Sequence, residues 1–376
     1  MKQKLNVLFL CSWYPSRVLP SNGDFIQRHA QAVATQHKVI VFHIITDEKC
    51  LQKIEFTDKV IENVRTIIAY IKPTKNRFLK ALLFRKAQNE LLKKVAVIDV
   101  VHVHKLFPMG LFALKIKRRL KVPFIVTEHH SIYKKPFNKS IGKFEKNLSK
   151  LIAKKAAFIC PVSQNLGNAM QNFGLKGQYK KVPNVVDVTQ FIPKEKQLNV
   201  FKILHVSNMV TLKNVSGILR VIKQLDSKID NFHFYCIGGT TKKYNQEAKD
   251  LGIKSDTITF KNQVPHNEIV TYFQEANVFV LFSNTENQPC VIPEAFACGT
   301  PVISTNVGGV SEYFPDEFGE LIEPKNEVQL MHAILKIHTN FEKKSSKFMH
   351  NYVVNTFGTD VICESFTKLY LKSMLD

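Results

Sequence analysis

The chain has 376 residues, of which 45% are hydrophobic and 22% are charged, so it can bury a core and wholesale disorder is excluded. This length exceeds one ordinary domain and favours two. No apolar run approaches the roughly 18 residues of a membrane-spanning helix. The seven cysteines are scattered without a C-x-x-C pair, which argues against a disulfide framework or a zinc ribbon. The first residues lack the features of a signal peptide, so we expect a cytoplasmic location.

Positive charge is concentrated in the first half of the chain. The whole chain carries 53 Lys+Arg against 31 Asp+Glu, a formal net charge of +22. Residues 1–200 hold 36 Lys+Arg against 12 Asp+Glu, or +24, whereas residues 201–376 hold 17 against 19, or −2. Such a one-sided excess predicts a polyanionic partner, which could be nucleic acid, an anionic membrane surface or an acidic substrate.

Strand and helix patterns alternate along the first half. An apolar run over Leu5–Cys11 predicts a strand, a loop with proline and glycine follows, and helical spacing begins at Phe25. The further predicted elements are strands over 39–45, 98–102 and 123–127 and helices over 25–33 and 110–120. Continuous Val and Ile runs between helices predict a parallel sheet that is covered on both faces.

A polar, proline-containing segment over 189–199 interrupts this alternation and is predicted to link two domains. The alternation then resumes, with strands predicted over 202–206, 232–237, 258–260, 278–282 and 301–304 and helices over 215–225, 267–275, 292–297 and 361–375. We therefore predict an α/β protein of two facing, doubly wound, Rossmann-like domains. Ligands are expected in the interdomain cleft, at the carboxyl ends of the strands.

The most informative segment lies between the last two predicted strands. Pro289 at a helix start places Glu286 on the preceding loop and Glu294 inside the helix, so the two carboxylates can serve different parts of one ligand. The backbone amides of Cys290 and Val291 fall in the first helical turn, where unpaired N–H groups favour an anion such as a diphosphate.

Glu286 and Glu294, separated by seven residues and followed by Ala-Phe-Ala-Cys-Gly-Thr-Pro, resemble the E-x7-E signature of family 4 retaining glycosyltransferases, which have the GT-B fold. Further matches follow the family's order over residues 4–370. These matches are Ser21-Asn22-Gly23, Asp99–His104 with Pro108 and Gly110, Thr127–His129, Pro183–Asp187, His205–Ser207 with Lys213, and Asn306–Gly309 with Glu312.

The resemblance implies roles for individual residues of the second half. Glu294 would accept hydrogen bonds from the nucleotide ribose, and Glu286 would hold a hydroxyl of the donor sugar. Lys213 and the amides of Cys290 and Val291 would stabilise negative charge on the departing diphosphate.

The first half contributes two further residues, and the sequence departs from the family at two positions. His129 would contact the transferred sugar, while Gly23 would let the backbone approach the donor and acceptor closely. Asn208 stands at the donor site where the family has an arginine, so one diphosphate cation is missing. Val185 replaces the glycine of the family's Pro-Asn-Gly-Val-Asp motif.

The resemblance also implies a domain plan and a reaction. The domains are predicted over 1–190 for the acceptor and 191–355 for the nucleotide sugar, with residues 356–376 forming a helix that crosses back to the first domain. The enzyme would be a retaining, metal-independent hexosyltransferase that uses a nucleotide sugar as co-substrate and no cofactor. A UDP-sugar is the expected donor and GDP-mannose the alternative.

The acceptor is expected to be lipid-linked or a surface-polysaccharide intermediate, which agrees with the basic first half. Basic segments over 115–121 and 134–155 have an amphipathic character suited to an anionic membrane surface. No recognisable nucleic-acid-binding module accompanies them, so nucleic acid is not the expected partner. We therefore expect a peripheral location on the inner face of the cell membrane.

Two other function classes stay open from the sequence alone. A non-enzymatic nucleic-acid binder would use the basic half directly. A metal-dependent hydrolase would use the His102/His104 pair, with His129 and His130 completing a zinc set. The simpler interpretation of this pair is that strand alternation sends both rings to one face, for packing and hydrogen bonding.

Overall fold

The computed structural model describes residues 4–196, 199–340 and 345–375, and the chain divides into two compact units. The first unit runs to Val185 and resumes at Thr359, and the second unit runs from Val186 to Gly358. This division precedes the segment predicted as a linker, of which residues 197 and 198 lie outside the described residues. Phe191 of that segment is fully buried in the core of the second unit, so the segment belongs to this unit.

The first unit is built on a seven-stranded sheet within the described residues, in the order β3-β4-β2-β1-β5-β6-β7. Its strands are β1 (Asn6–Cys11), β2 (Lys38–Thr46), β3 (Ile54–Ile61), β4 (Val64–Ile71), β5 (Val100–His104), β6 (Phe124–Glu128) and β7 (Phe158–Pro161). Its helices are α1 (Asp24–Ala34), α2 (Arg77–Lys94), α3 (Met109–Leu120), α4 (Lys143–Lys155), α5 (Gln164–Asn172) and α12 (Thr359–Ser373).

One strand of this sheet departs from the predicted parallel arrangement. β3 pairs antiparallel with β4, with Ile61 opposite Val64. Between them Glu62 and Asn63 both have positive φ angles, 47° and 63°. This is the geometry of a two-residue type I′ hairpin, which the predicted alternation of strands and helices does not include. Without β3, the remaining strands follow the order 3-2-1-4-5-6 that defines a Rossmann sheet.

The second unit repeats this plan with six parallel strands in the order β10-β9-β8-β11-β12-β13, again 3-2-1-4-5-6. Its strands are β8 (Phe201–Val206), β9 (Phe232–Ile237), β10 (Ile258–Lys261), β11 (Val278–Leu281), β12 (Val302–Thr305) and β13 (Gly319–Ile322). Its helices are α6 (Val215–Leu225), α7 (Lys242–Asp250), α8 (His266–Glu275), α9 (Val291–Ala297), α10 (Glu327–Asn340) and α11 (Ser346–Phe357).

Central strands of both sheets are buried along their whole length, as the continuous apolar runs predict. Every residue of β5, β11 and β12 is buried. Helix α6 coincides with its predicted range and buries Val215, Ile218, Leu219 and Ile222, an i, i+3, i+4, i+7 stripe against the sheet. None of the helices within the described residues is both long enough and apolar enough to span a bilayer.

The last helix of the chain belongs to the first unit. α12 packs against α1, and its Phe366 and Tyr370 are fully buried beside the β1 strand in that unit's core. The Tyr370 hydroxyl reaches His102 at the centre of the sheet. Helix α12 is therefore built into the same core as strand β1.

Candidate active site

The strand order of the second unit reverses between β8 and β11, and open α/β sheets bind ligands at this point, beyond the carboxyl ends of the strands. The loop after β8 carries Asn208 and Lys213, and the loop after β11 carries Glu286. Helix α9 follows that second loop and carries Glu294. The topology thus gathers the sequence-predicted donor residues of this unit at one edge of its sheet.

Lys213 and Glu286 pair directly across this edge. The Lys213 Nζ donates to Glu286 Oε1 at 2.5 Å, and the two side chains are only 20% and 9% exposed. The sequence predicted separate roles for them, at the diphosphate and at the donor sugar. Because a buried charge that loses a partner is costly, a hydrogen-bond donor on the ligand would compensate Glu286 when Lys213 is drawn away.

Glu294 is held by a histidine that the sequence reasoning missed. Its carboxylate is buried in the first turn of α9, and the Glu294 Oε1 lies 2.9 Å from the Nε2 of His266. His266 is the first residue of α8, and its ring packs 5.1 Å from that of Phe191. Only a Pro-His pair before a helix marks it in the sequence, which is too common a pattern to single out a site.

Cys290 and Val291 lie where the sequence predicted them. Cys290 is the residue at the N-cap of α9, and Val291 is the first of its seven residues. Their contact with a diphosphate stays a prediction.

Two glycines shape the loop that carries Asn208. Gly238 and Gly239 have φ angles of 112° and 40°, and added Cβ atoms would lie 2.0 Å from Ser207 O and 2.5 Å from Asn208 O. The turn after β9 therefore packs directly on the Ser207-Asn208 backbone and leaves no room for side chains. The Asn208 side chain is exposed on this loop.

In the first unit, histidines gather at the corresponding edge of the sheet. His102 and His104 both lie buried on β5, with ring centroids 4.2 Å apart, which confirms the predicted shared face. His102 has both nitrogens engaged, Nδ1 with the Tyr370 hydroxyl and Nε2 with the Thr127 hydroxyl, each at 2.7 Å. His102 therefore offers no nitrogen to a metal, contrary to the hydrolase alternative.

His129, the predicted sugar contact, follows β6 and is half-buried. Its Nδ1 lies 3.1 Å from Asn184 Oδ1, and its Nε2 lies 3.2 Å from His104 Nδ1. Because the Asn184 oxygen can only accept, His129 carries its proton on Nδ1 and accepts at Nε2 from His104. Burial lowers the pKa of both rings well below the ordinary value, so both are neutral.

Glu128 organises the loop that presents His129, and the sequence reasoning gave it no role of its own. It is fully buried. One oxygen accepts from the Leu106 amide at 2.9 Å, and the other accepts from the amides of His129 and His130 at 3.0 and 2.9 Å. Burial raises the pKa of this carboxyl, and the three amide donors act in the opposite direction.

Gly23 precedes α1 in the left-handed conformation, with φ 79°. A Cβ there would lie 2.7 Å from the carbonyl carbon of Trp13. The loop after β1 thus folds against itself at this glycine. The predicted approach of its backbone to substrates stays a prediction.

Comparison with known proteins agrees with this architecture. The sucrose-phosphate synthase of Thermosynechococcus elongatus superposes with a TM-score of 0.78 at 18% identity, covering 98% of this chain and 99% of that one. The Anabaena protein HepE, solved in complex with UDP-glucose, superposes with a TM-score of 0.74 at 15% identity, covering 98% and 100%. The chain has the GT-B fold of glycosyltransferases, as predicted.

Two family models then identify the chain more closely. The model described as Glycosyltransferase Family 4 matches residues 24–190, and that described as Glycosyl transferases group 1 matches residues 188–352. The chain belongs to glycosyltransferase family 4. The predicted family is confirmed, and glycosyl transfer replaces the nucleic-acid-binding and hydrolase alternatives.

Two relatives are similar to this chain over 89% of their own length. An uncharacterized glycosyltransferase of Methanocaldococcus jannaschii is 27% identical over 335 residues, which is 88% of this chain and 89% of that protein. The UDP-Gal:alpha-D-GlcNAc-diphosphoundecaprenol alpha-1,3-galactosyltransferase of Escherichia coli is 26% identical over 358 residues, covering 87% and 89%.

Proposed function

We propose that this protein is a retaining glycosyltransferase that moves a hexose from a nucleotide sugar to a lipid-linked or surface-polysaccharide acceptor. A UDP-sugar is the proposed donor, with GDP-mannose as the alternative. The observation that carries this proposal is the set of Lys213, Glu286 and Glu294 at the edge of the second sheet where the strand order reverses. The donor named for HepE and the acceptor named for the Escherichia coli relative support these substrate classes.

Glu294 is the proposed ribose ligand. Its buried carboxylate keeps one oxygen on His266 Nε2, which fixes the orientation of the group before the nucleotide arrives. A carboxylate accepts two hydroxyl hydrogen bonds well, and charge-assisted bonds of this kind are stronger than neutral ones. We assign His266 as the residue that positions Glu294.

Lys213 and Glu286 are proposed to exchange partners when the donor binds. In the structure the Lys213 ammonium neutralises the Glu286 carboxylate. With a donor bound, Lys213 turns to the diphosphate, and a hydroxyl of the hexose replaces it on Glu286. Negative charge grows on the diphosphate as the glycosidic bond breaks, so Lys213 and the α9 amides of Cys290 and Val291 stabilise the transition state.

The donor site is proposed to work without a metal or a cofactor. Asn208 adds no positive charge to the loop after β8, which makes Lys213 the motif-matched cation for the leaving group. In the first unit, we assign His129 to the transferred hexose and Gly23 to close backbone approach. Neutral His129 would keep its Nδ1 on Asn184 and accept from a sugar hydroxyl at Nε2 in place of His104.

The first unit is also proposed to rest on an anionic membrane surface. Helix α2 exposes Phe78 and Leu82 one turn apart, at 75% and 47%, beside exposed Lys80, Arg85 and Lys86. Apolar side chains flanked by lysine and arginine suit the interface of an anionic bilayer. This surface, together with the basic first half, supports a cytoplasmic enzyme at the inner face of the cell membrane.

Other exposed groups extend this surface. Helix α4 exposes Phe144 at 77% and Leu151 at 45% among lysines. Arg119 at the end of α3 lines a cavity of about 580 Å³ together with Arg85, Lys86 and Lys93 of α2. We name the exposed side chains of α2, of α4 and of the end of α3 the basic face. Glu90 also lines this cavity and pairs with Lys93 at 2.9 Å, so Arg85, Lys86 and Arg119 would hold a phosphate-bearing head group.

A donor screen followed by product analysis tests the proposed function. UDP, UDP-hexoses and GDP-mannose are each added to the chain, and the melting temperature is measured, because a ligand of the native state raises it. The hexose of the stabilising donor should then appear on a lipid-linked acceptor with the anomeric configuration of the donor, read by NMR. No stabilisation by any nucleotide, or an inverted product, would contradict the proposal.

A further inference from the structure

Three histidine rings of the first unit lie at nearly equal distances from one another. Ring centroids are 5.6 Å apart for His29 and His104, 5.5 Å for His29 and His129, and 5.5 Å for His104 and His129. One nitrogen from each ring lies within 4.8 Å of one from each of the others. His29 and His104 are fully buried, and His129 is half-buried. Three potential ligand atoms therefore surround one point.

Backbone and side-chain oxygens already hold the far nitrogens of two rings. His29 Nε2 lies 3.2 Å from the Pro183 carbonyl, and His129 Nδ1 lies 3.1 Å from Asn184 Oδ1. Metal-binding histidines usually donate their second N–H to such an oxygen, which fixes the tautomer. These bonds leave the lone pair of His29 Nδ1 for a ligand, whereas the lone pair of His129 Nε2 accepts from His104 Nδ1 until the His104 proton moves.

The His29 Nδ1 is the independent sign of a missing ligand. Within the part of the chain that the structure describes, this fully buried atom has no hydrogen-bond partner. Buried polar atoms are almost always satisfied, so an exception calls for an explanation. A metal ion that accepts this lone pair would supply the missing partner.

The spacing suits a tetrahedral ion. Nitrogens bound to one zinc ion at 2.0–2.1 Å lie about 3.3 Å apart. His104 Nδ1 and His129 Nε2 are already 3.2 Å apart. Since the three ligand atoms all lie within 4.8 Å of one another, a movement of about 1.5 Å or less brings them to tetrahedral spacing. Imidazole nitrogens of this kind suit zinc and its chemical neighbours.

We propose that His29, His104 and His129 bind one divalent transition-metal ion of the zinc type. His104 then moves its proton from Nδ1 to Nε2, a buried nitrogen for which the described residues supply no acceptor. Its Nδ1 lone pair then faces the ion, and no proton leaves the protein. The half-buried side of His129 provides the entry path and the fourth ligand, a water. Since the proposed function assigns His129 to the hexose, the bound ion inhibits transfer.

Cobalt spectroscopy tests the site without any assumption about the donor. The tag-free, EDTA-treated and dialysed chain is titrated with Co²⁺, and visible d–d absorption is recorded. We expect one Co²⁺ per chain with the intense bands of tetrahedral coordination, and Zn²⁺ should displace it. Absence of these bands at saturating cobalt would overturn the proposal.

Matched variants assign the ligands. His29→Gln keeps a donor for the Pro183 carbonyl but removes the Nδ1 ligand atom. His104→Asn keeps a donor for His129. Each of these two variants should weaken cobalt binding more than Asn184→Ala does. Asn184→Ala removes the residue that holds His129 Nδ1 and should lower the cobalt affinity about 10–100-fold. His43→Asn alters a buried histidine on β2 outside the cluster and should leave binding unchanged. Equal affinity in folded His29→Gln and wild type, with folding checked by circular dichroism, would overturn the assignment.

Transfer assays separate this site from the proposed function. Saturating Zn²⁺ should lower transfer at least tenfold, and EDTA should restore it. The expected cobalt spectrum with unimpaired transfer in zinc would uphold the metal site and contradict the assignment of His129 to the hexose.

Discussion

The two units share one strand order but line the same edge of their sheets with different chemistry. In the first unit this edge carries the neutral imidazoles of His104 and His129, whereas in the second it carries the buried Lys213–Glu286 ion pair and Glu294. A diphosphate suits a cation, and ribose or hexose hydroxyls suit a carboxylate or a neutral imidazole. The shared scaffold therefore does not decide the function of either edge; the side chains after each strand do.

The surfaces of the two units differ as strongly as their edges. The excess of positive charge, +24 over residues 1–200, falls on the unit that bears the basic face, while residues 201–376 carry −2. A long-range field of this kind concentrates anionic partners on one unit only. The proposed division places the acceptor membrane at the first unit and the donor at the second.

Removal of a buried side chain gives the largest expected effect on stability. It also tests whether the segment predicted as a linker packs in the core of the second unit. Phe191→Ala should lower the free energy of unfolding of the second unit by about 3–5 kcal/mol, because it empties a fully buried ring site. Phe144→Ala, at 77% exposure on α4, should stay within about 0.5 kcal/mol of wild type. Denaturant titration measures both, and equal, small changes would mean that Phe191 lies outside the core.

Charge removal from the basic face should weaken vesicle binding next most strongly. Arg118, Arg119 and Lys121 are exposed, whereas Lys117 is half-buried and donates to the Lys155 carbonyl. Neutralising the three exposed residues should cost about 3 kcal/mol at low salt, at about 1 kcal/mol for each basic residue.

Three exposed lysines of the second unit serve as the matched control. These are Lys242, Lys243 and Lys249. In sedimentation with anionic and zwitterionic vesicles, only the variant that neutralises Arg118, Arg119 and Lys121 should lose binding to the anionic vesicles. Equal binding by both triples, or no preference for anionic lipid, would refute the membrane proposal.

Lys213→Ala should lower turnover about 10–150-fold, which corresponds to a charge-assisted contact of about 1.5–3 kcal/mol. Lys213→Arg should retain part of the activity, because it keeps the charge opposite Glu286. Lys223→Ala, at a 42% exposed lysine on α6, is the control and should leave turnover unchanged. A Lys213→Ala rate within about twofold of wild type would show that another cation serves the diphosphate.

The two carboxylates should separate binding from turnover. Glu294→Gln should weaken nucleotide binding about tenfold or more through a lost charge-assisted bond. Glu286→Gln should leave nucleotide affinity nearly intact and lower turnover. Glu275→Gln, at a 51% exposed residue, controls for the loss of charge. Calorimetry with UDP and steady-state kinetics give the two readouts; unchanged values in both site variants would remove this pair from the site.

The smallest expected effect is that of metal removal. Exhaustive EDTA treatment should leave transfer within about twofold of the untreated enzyme, or higher if zinc occupied the histidine cluster. Loss of transfer that Mg²⁺ or Mn²⁺ restores would contradict the metal-independent mechanism.

The sequence predicted the parts of the fold that have a strong local signal. Helix α6 and strand β9 coincide with their predicted ranges, because their apolar spacing has an unambiguous period. The β3–β4 hairpin was missed: its turn is formed by Glu62-Asn63, which lacks the glycine that usually marks a type I′ turn.

The sequence predicted the individual residues of the site, but it did not predict which of their side chains contact one another. Sequence spacing placed Glu286 and Glu294 on a loop and a helix, but it could not pair Lys213 with Glu286, 73 residues apart. His266 and His29 were missed for the same reason. Their partners, Glu294 and Pro183, lie 28 and 154 residues away, and only the folded sheet brings them together.

Hydrogen–deuterium exchange with and without UDP tests the division between the two edges most directly. UDP alone, which carries no hexose, should protect backbone amides of the second unit around 207–214 and 286–294. The loops of the first unit around Gly23 and His129 should exchange as in the free chain. Protection confined to the first unit, or absent from 286–294 at saturating UDP, would contradict the assignment of the donor site to the second unit.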